Sequence, residues 1–172
     1  QFIARDFFRT IKSVWSINVF KQKDNNDLFI KDEAIYKMEY PLSEKNIEKS
    51  AEKINSVYEK YLQNMNVYYA IIPDKNYFVD DNYLKLDYND MISTIRNSFN
   101  FKYIDIIKDL ELSDYYYTDP HIKQECFNDV LKILVNGMDN NYFDVVSKIN
   151  RLNNFYGSYY GQLGLSSKSD EM

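Results

Sequence analysis

The run Val67-Tyr68-Tyr69-Ala70-Ile71-Ile72, stopped by Pro73-Asp74, decides the fold class of this chain. It has no polar break, a pattern that suits a strand covered on both faces, as in a parallel sheet. Asp87 then stands where it can cap a helix whose inner face is Tyr88, Met91, Ile92, Ile95 and Phe99. Phe101-Lys102-Tyr103-Ile104 reads as a second strand. Strand, helix and strand within roughly forty residues make a βαβ unit. Its strands are expected to lie parallel and its crossover to be right-handed. The chain is therefore expected to be α/β, with a parallel sheet flanked by amphipathic helices.

Outward from that unit the periodicity is mostly helical. Phe7, Phe8, Ile11, Val14, Trp15 and Val19 predict an amphipathic helix over residues 4–22, ended by Lys23-Asp24-Asn25-Asn26-Asp27. Leu28-Phe29-Ile30 and Ala34-Ile35-Tyr36, around the polar Lys31-Asp32-Glu33, predict a short hairpin. Ser43 is the expected N-cap of a long helix whose inner face is Ile47, Ala51, Ile54, Val57, Tyr58, Tyr61, Leu62 and Met65. A helix over residues 122–135 is expected to bury Cys126, Phe127, Val130, Leu131 and Leu134, with Gly137 as its stop. A further short helix is expected over 142–152. Residues 1–165 read as a single domain, whole or part of a larger one, and residues 166–172 as a mobile polar tail.

Composition narrows the classes of function. With 45% apolar residues, the 172-residue chain can build a real core. Four Gly and three Pro argue against a turn-rich β-sandwich. A net charge of −5, with basic residues scattered, argues against a nucleic-acid partner. The 17 Tyr and 11 Phe have two readings, core packing or a stacking platform for sugar rings, and their periodic placement favours the first. The single Cys excludes an internal disulfide and a cysteine-based zinc cluster. There is no apolar run of membrane-spanning length.

Topology says where a site belongs. Ligands of open α/β sheets bind beyond the carboxyl ends of the strands. Pro73-Asp74-Lys75 leaves the first strand there, and the loop Asp114-Tyr115-Tyr116-Tyr117-Thr118-Asp119-Pro120-His121 leaves the second. His121 is the only histidine in the chain. An acid two residues before it can orient the imidazole and stabilise its protonated form. Asp119 and His121 are thus the candidate catalytic pair. Asp74, Lys75, Tyr116 and Tyr117 are the candidate substrate contacts. The plainer alternatives are a helix-start histidine held by Asp119 and a simple turn at Asp74-Lys75. One nitrogen ligand beside Asp114 and Asp119 is a poor match to zinc, so no metal is expected. Ser158, in Gly157-Ser158-Tyr159-Tyr160-Gly161, does not stand in a Gly-x-Ser-x-Gly elbow and is not expected to be a nucleophile.

Three segments together resemble the DHHW proteins, a bacterial, SGNH-hydrolase-like family related in design to the alginate O-acetyltransferases. They are Ile71-Ile72-Pro73-Asp74-Lys75-Asn76-Tyr77-Phe78, the run Asp114 to His121, and Phe155-Tyr156-Gly157-Ser158-Tyr159-Tyr160-Gly161-Gln162. Ile122 stands where the family pattern has Trp. The resemblance implies an SGNH-like doubly wound parallel sheet, here partial, and an Asp-x-His pair at Asp119 and His121. It also implies an exported, membrane-anchored protein at the bacterial cell surface. The implied activity is an acyltransferase or esterase acting on a cell-surface polysaccharide, with no cofactor. The nucleophilic serine is expected outside this chain, which alone is expected to be inactive. Implied partners are a surface glycan or an acyl-donor protein, and membrane contact is expected only through a missing N-terminal anchor. The alternative is a non-catalytic envelope module that binds a glycan or a partner protein through the same cleft.

Overall fold

The βαβ unit forms, with much shorter strands than the apolar run would allow. The computed structural model describes residues 4–80, 84–143, 150–165 and 167–172. In chain order the elements are α1 (Arg5–Ser13), β1 (Leu28–Lys31), β2 (Ala34–Lys37), α2 (Glu44–Val57), β3 (Tyr68–Tyr69), α3 (Tyr88–Ser98), β4 (Lys102–Tyr103), α4 (Phe127–Gly137) and α5 (Ser158–Leu163). α1 and α2 each run on into a wider, π-helical segment, Val14–Val19 and Tyr58–Leu62. The fold is mixed α/β, and its described strands form two two-stranded sheets.

β3 and β4 pair in parallel, Tyr68 opposite Lys102 and Tyr69 opposite Tyr103. α3 lies between them in sequence, capped by the Asp87 carboxylate, which accepts from Asp90 N at 2.9 Å. It packs on α2 and reaches β4 through the Arg96 guanidinium, 4.8 Å from the Tyr103 ring centre. The expectation of a strand enclosed on both faces through Ile72 is corrected. Ile71 is buried but Ile72 is 52% exposed, because strand pairing stops at Tyr69.

The β1–β2 hairpin is the best-buried element. Its turn is Asp32-Glu33, both at positive φ (47° and 65°), as a two-residue turn between twisted strands requires. Alternation sends Leu28 and Ile35 to a cluster with Tyr159 and Leu163 of α5. Phe29, Ala34 and Tyr36 go to the opposite cluster with Val79. Phe29 and Tyr36, opposed in register, stack at 5.3 Å. A third cluster, Ile104, Ile106, Leu110 and Val130, seats α4 beneath the parallel pair.

Several helical faces point elsewhere than their periodicity implies. On α2 and its π-helical extension, Ala51 is buried, while Ile54, Val57 and Tyr61 are exposed, as is Met65 beyond the helix end. Ser43 stands at the N-cap position without a side-chain cap bond. On α4, Val130 is buried, Cys126 is half-buried and Phe127 is exposed. Gly137 closes α4 by close approach: a Cβ there would stand 2.8 Å from the Ile104 side chain. The helix expected over 142–152 falls mainly on residues 144–149, which lie outside the described residues; 150–152 are not helical.

In the segment expected to be a mobile polar tail, the described residues 167–172 make defined contacts. Asp170 is 2% exposed and pairs across an antiparallel bridge with Phe155, while Leu152 and Met172 exchange two main-chain hydrogen bonds. The docking is made by backbone and a carboxylate, so the polarity of the segment conceals it.

Candidate functional site

The site is built on the loop from Asp114 to Lys123. That loop closes on itself: Tyr115 and Ile122 form an antiparallel bridge, Tyr116 N donates to His121 O, and Lys123 N donates to Asp114 O at 2.7 Å. Ile122 turns inward onto the α4 cluster. The Asp119–His121 turn is therefore held at the tip of a tied loop.

Four separate stretches of chain fix that tip. From β2, Ile35 N donates to Tyr117 O at 2.8 Å. From the stretch after β3, Tyr115 Oη donates to Pro73 O at 2.7 Å, and Lys75 Nζ donates to both Tyr116 O and Tyr117 O at 2.8 Å. From the start of α5, Gly157 N donates to Thr118 Oγ1 at 2.7 Å and Ser158 N to Asp119 Oδ2 at 2.8 Å. From the tail, Asp170 Oδ2 accepts from Thr118 N at 2.8 Å and Thr118 Oγ1 at 2.6 Å, and Asp170 Oδ1 accepts from Tyr117 N. The segments leaving the two parallel strands do meet, as the topology implies.

Asp119 and His121 meet. Asp119 Oδ1 is hydrogen-bonded to His121 Nδ1 and also accepts from His121 N at 3.2 Å. Asp119 is buried, whereas the His121 side chain is 80% exposed. Burial pushes the Asp119 carboxyl up, but the Ser158 amide, the His121 imidazole and the His121 amide outweigh it and hold the group below the usual range. A carboxylate that accepts from Nδ1 leaves Nε2 as the free position of the ring. The pair opens on a cleft of about 340 Å³ lined by Tyr116, Ile122, Gln124, Phe155 and Met172. Tyr116 and Phe155 meet there at 5.8 Å, and Gln124 N donates to Tyr116 Oη.

The other expected contacts divide. Tyr116 lines the cleft. Tyr117 faces away, its ring under the ammonium groups of Lys168 and Lys123. Asp74 is directed at the fold: its Oδ1 accepts from Asn76 N and its Oδ2 from Tyr88 Oη, both at 2.8 Å. Burial raises its pKa against those two bonds. Lys75, expected as a substrate contact, is 2% exposed and lies beneath the site. Its ammonium sits 5.4 Å from the ring centres of both Tyr36 and Tyr159. Burial lowers its pKa to about 8, against the opposing pull of Asp170, Asp119 and Asp74.

Gly157, Thr118 and Asp170 are essential to the geometry and were not among the expected site residues. A Cβ at Gly157 would stand 2.4 Å from Asp119 Cβ and 2.8 Å from Thr118 O, so only glycine lets α5 approach. The place of Gly157 in the segment Phe155 to Gln162, the third of those quoted for the family resemblance, was the available signal. Nothing local marks Asp170. Among the described residues, no serine or cysteine hydrogen-bonds to the His121 imidazole, and no three His, Cys, Asp or Glu side chains form a metal-holding group. Compared with protein-family models, with curated proteins and with solved structures, the chain matches none.

Proposed function

We propose that Asp119 and His121 are the acid and base of an SGNH-like acyltransferase or esterase acting on a cell-surface polysaccharide, with the nucleophilic serine supplied from outside this chain. The observation that carries the reading is the Asp119 Oδ1–His121 Nδ1 hydrogen bond, with the same carboxylate fixed on its other oxygen by Ser158 N and the ring open to the cleft. In such a site Nε2 takes the proton of a serine hydroxyl as Oγ attacks an acyl carbonyl, then returns it to the departing alcohol. Asp119 holds the ring and stabilises the imidazolium between those steps. The parallel β3–β4 pair would be the seed of a larger doubly wound sheet, and the protein would work at the outer face of the cell envelope. The second reading is a non-catalytic envelope module that holds a glycan on the same cleft, favoured by the Tyr116–Phe155 pair in its wall.

The experiment is ester hydrolysis with an acetylated sugar. The 172-residue chain shows no turnover above background, because a base without a hydroxyl has nothing to activate. A longer form that supplies the serine hydrolyses the ester. There, His121→Ala lowers kcat on the order of 10³-fold or more, and Asp119→Asn nearly as much. A longer form that keeps its rate after His121→Ala contradicts the reading. Saturable glycan binding without turnover in that form supports the second.

A further inference from the structure

α1 is docked inside out. Its polar side faces the domain: Arg9 donates to Gly161 O at 2.8 Å, Thr10 Oγ1 to Gly164 O at 2.9 Å, and Ser13 Oγ, fully buried, to Leu163 O. Asn25 Nδ2 completes the set by donating to Ser13 Oγ at 2.7 Å. Gly164, at φ +68°, is the left-handed cap of α5, and a Cβ there would stand 3.2 Å from Thr10 N. Ile17 is the apolar residue that turns inward, onto the hairpin cluster.

The opposite side carries the aromatic residues. Phe7 (64% exposed), Phe8, Ile11, Trp15 (53%), Val19 and Phe20 (66%) lie along the outward face of α1 and its π-helical extension. A soluble helix puts such a stripe against its core, so this one has the form of a contact surface. Charge selects the partner. Residues 1–23 carry five bases (Arg5, Arg9, Lys12, Lys21, Lys23) against one acid (Asp6), a net +4. The whole chain is −5, so residues 24–172 carry −9. A second copy meeting this one face to face would bring the same five cations together. Aromatic side chains with Arg5 and Lys12 on the same helix and Lys21 and Lys23 just beyond its end match the headgroup boundary of an anionic bilayer.

We propose that α1 and its π-helical extension lie in the interface of an anionic phospholipid membrane, with Phe7, Phe8, Trp15 and Phe20 entering the acyl boundary. This contact is made by residues of this chain's own fold, not by a spanning anchor, and it does not depend on the chemistry at His121.

Trp15 is the only tryptophan, so its emission reports the contact directly. Vesicles of phosphatidylcholine with 30% phosphatidylglycerol (a composition of about one anionic lipid in three) should shift Trp15 emission to the blue. Binding should weaken on the order of tenfold or more with pure phosphatidylcholine, and similarly at high salt. Phe7→Ser/Phe20→Ser, at exposed positions, should lower partitioning by about tenfold or more. Lys21→Glu/Lys23→Glu, which leaves the aromatic stripe intact, should do so on anionic vesicles alone. The proposal is overturned by no shift with anionic vesicles, or by equal binding to neutral ones. It is also overturned by a blue shift that grows with protein concentration without lipid, since a second copy then covers the face.

Discussion

Asp170, two residues from the last residue of the chain, fixes the loop that carries Asp119 and His121. Its two oxygens serve Tyr117 N, Thr118 N and Thr118 Oγ1 from a position closed to water. Asp170→Ala leaves two main-chain donors without a partner, and each orphaned donor costs about 1–3 kcal/mol. The expected loss is about 3 kcal/mol in denaturant unfolding; a loss under about 0.5 kcal/mol would mean that the tail is not docked. Lys75 gives a second residue-scale test, with a definite sign. Its folded pKa is lowered to about 8 by burial, while the unfolded chain holds that proton to about 10.4. Between those values the unfolded chain binds more protons, so this residue makes stability rise with pH from about 8 to about 10. Below about pH 8 both states are protonated, so the slope vanishes and the cost of burying the charged ammonium is fully present. Full deprotonation brings a gain of up to about 3 kcal/mol. Burial raises the pKa of Tyr88, Tyr115 and Tyr159, so ionisation of tyrosine in the unfolded chain reverses the trend above about pH 10. Urea unfolding at pH 7.5, 8.5 and 9.5 (a range of about 2 units) reads the slope. Lys75→Met should remove it, and an unchanged slope in that variant would assign the effect elsewhere.

At the scale of elements, the hairpin, the βαβ unit and the Asp87 cap were legible because each has a local physical signature. Alternation set the hairpin faces, and a capping carboxylate set the start of α3. The facing of α1 and α2 was not legible, because 3.6-residue periodicity identifies an apolar stripe without saying what covers it. Ile54 shows the difference. It belongs to the apolar stripe of α2, yet 48% of it is exposed while Ala51 is closed. Widening of the helix to π form after Val57 also rotates Tyr61 away from the register that a continuous α-helix would give it, and the helix ends at Leu62, before Met65. Ile54→Asp is therefore expected to change stability by no more than about 1 kcal/mol, as exposed helix positions do. A domain unfolded by that substitution would put this face back in the core.

At the scale of the molecule, the contact of Asp119 with His121 was legible from residue type and spacing, whereas most of the shell that holds the two was not. Lys75 read as a substrate contact or a turn residue, and its enclosure went unforeseen because lysine is rarely buried. Its burial follows from two carbonyls, two tyrosine rings and three carboxylates that converge only after folding. Gly157 and Asp170 act across long sequence separations, which no local pattern records. Together these segments hold one imidazole by one nitrogen. The most direct test is the nitrogen–proton correlation spectrum of the chain at a pH where the ring is neutral; with a single histidine, it contains one imidazole. The account predicts the proton on Nδ1, bound to Asp119, and a bare Nε2 facing the cleft, with that preference lost in Asp119→Asn. A neutral ring with its proton on Nε2 would contradict it, because no lone pair would then face the cleft to receive a proton from a hydroxyl.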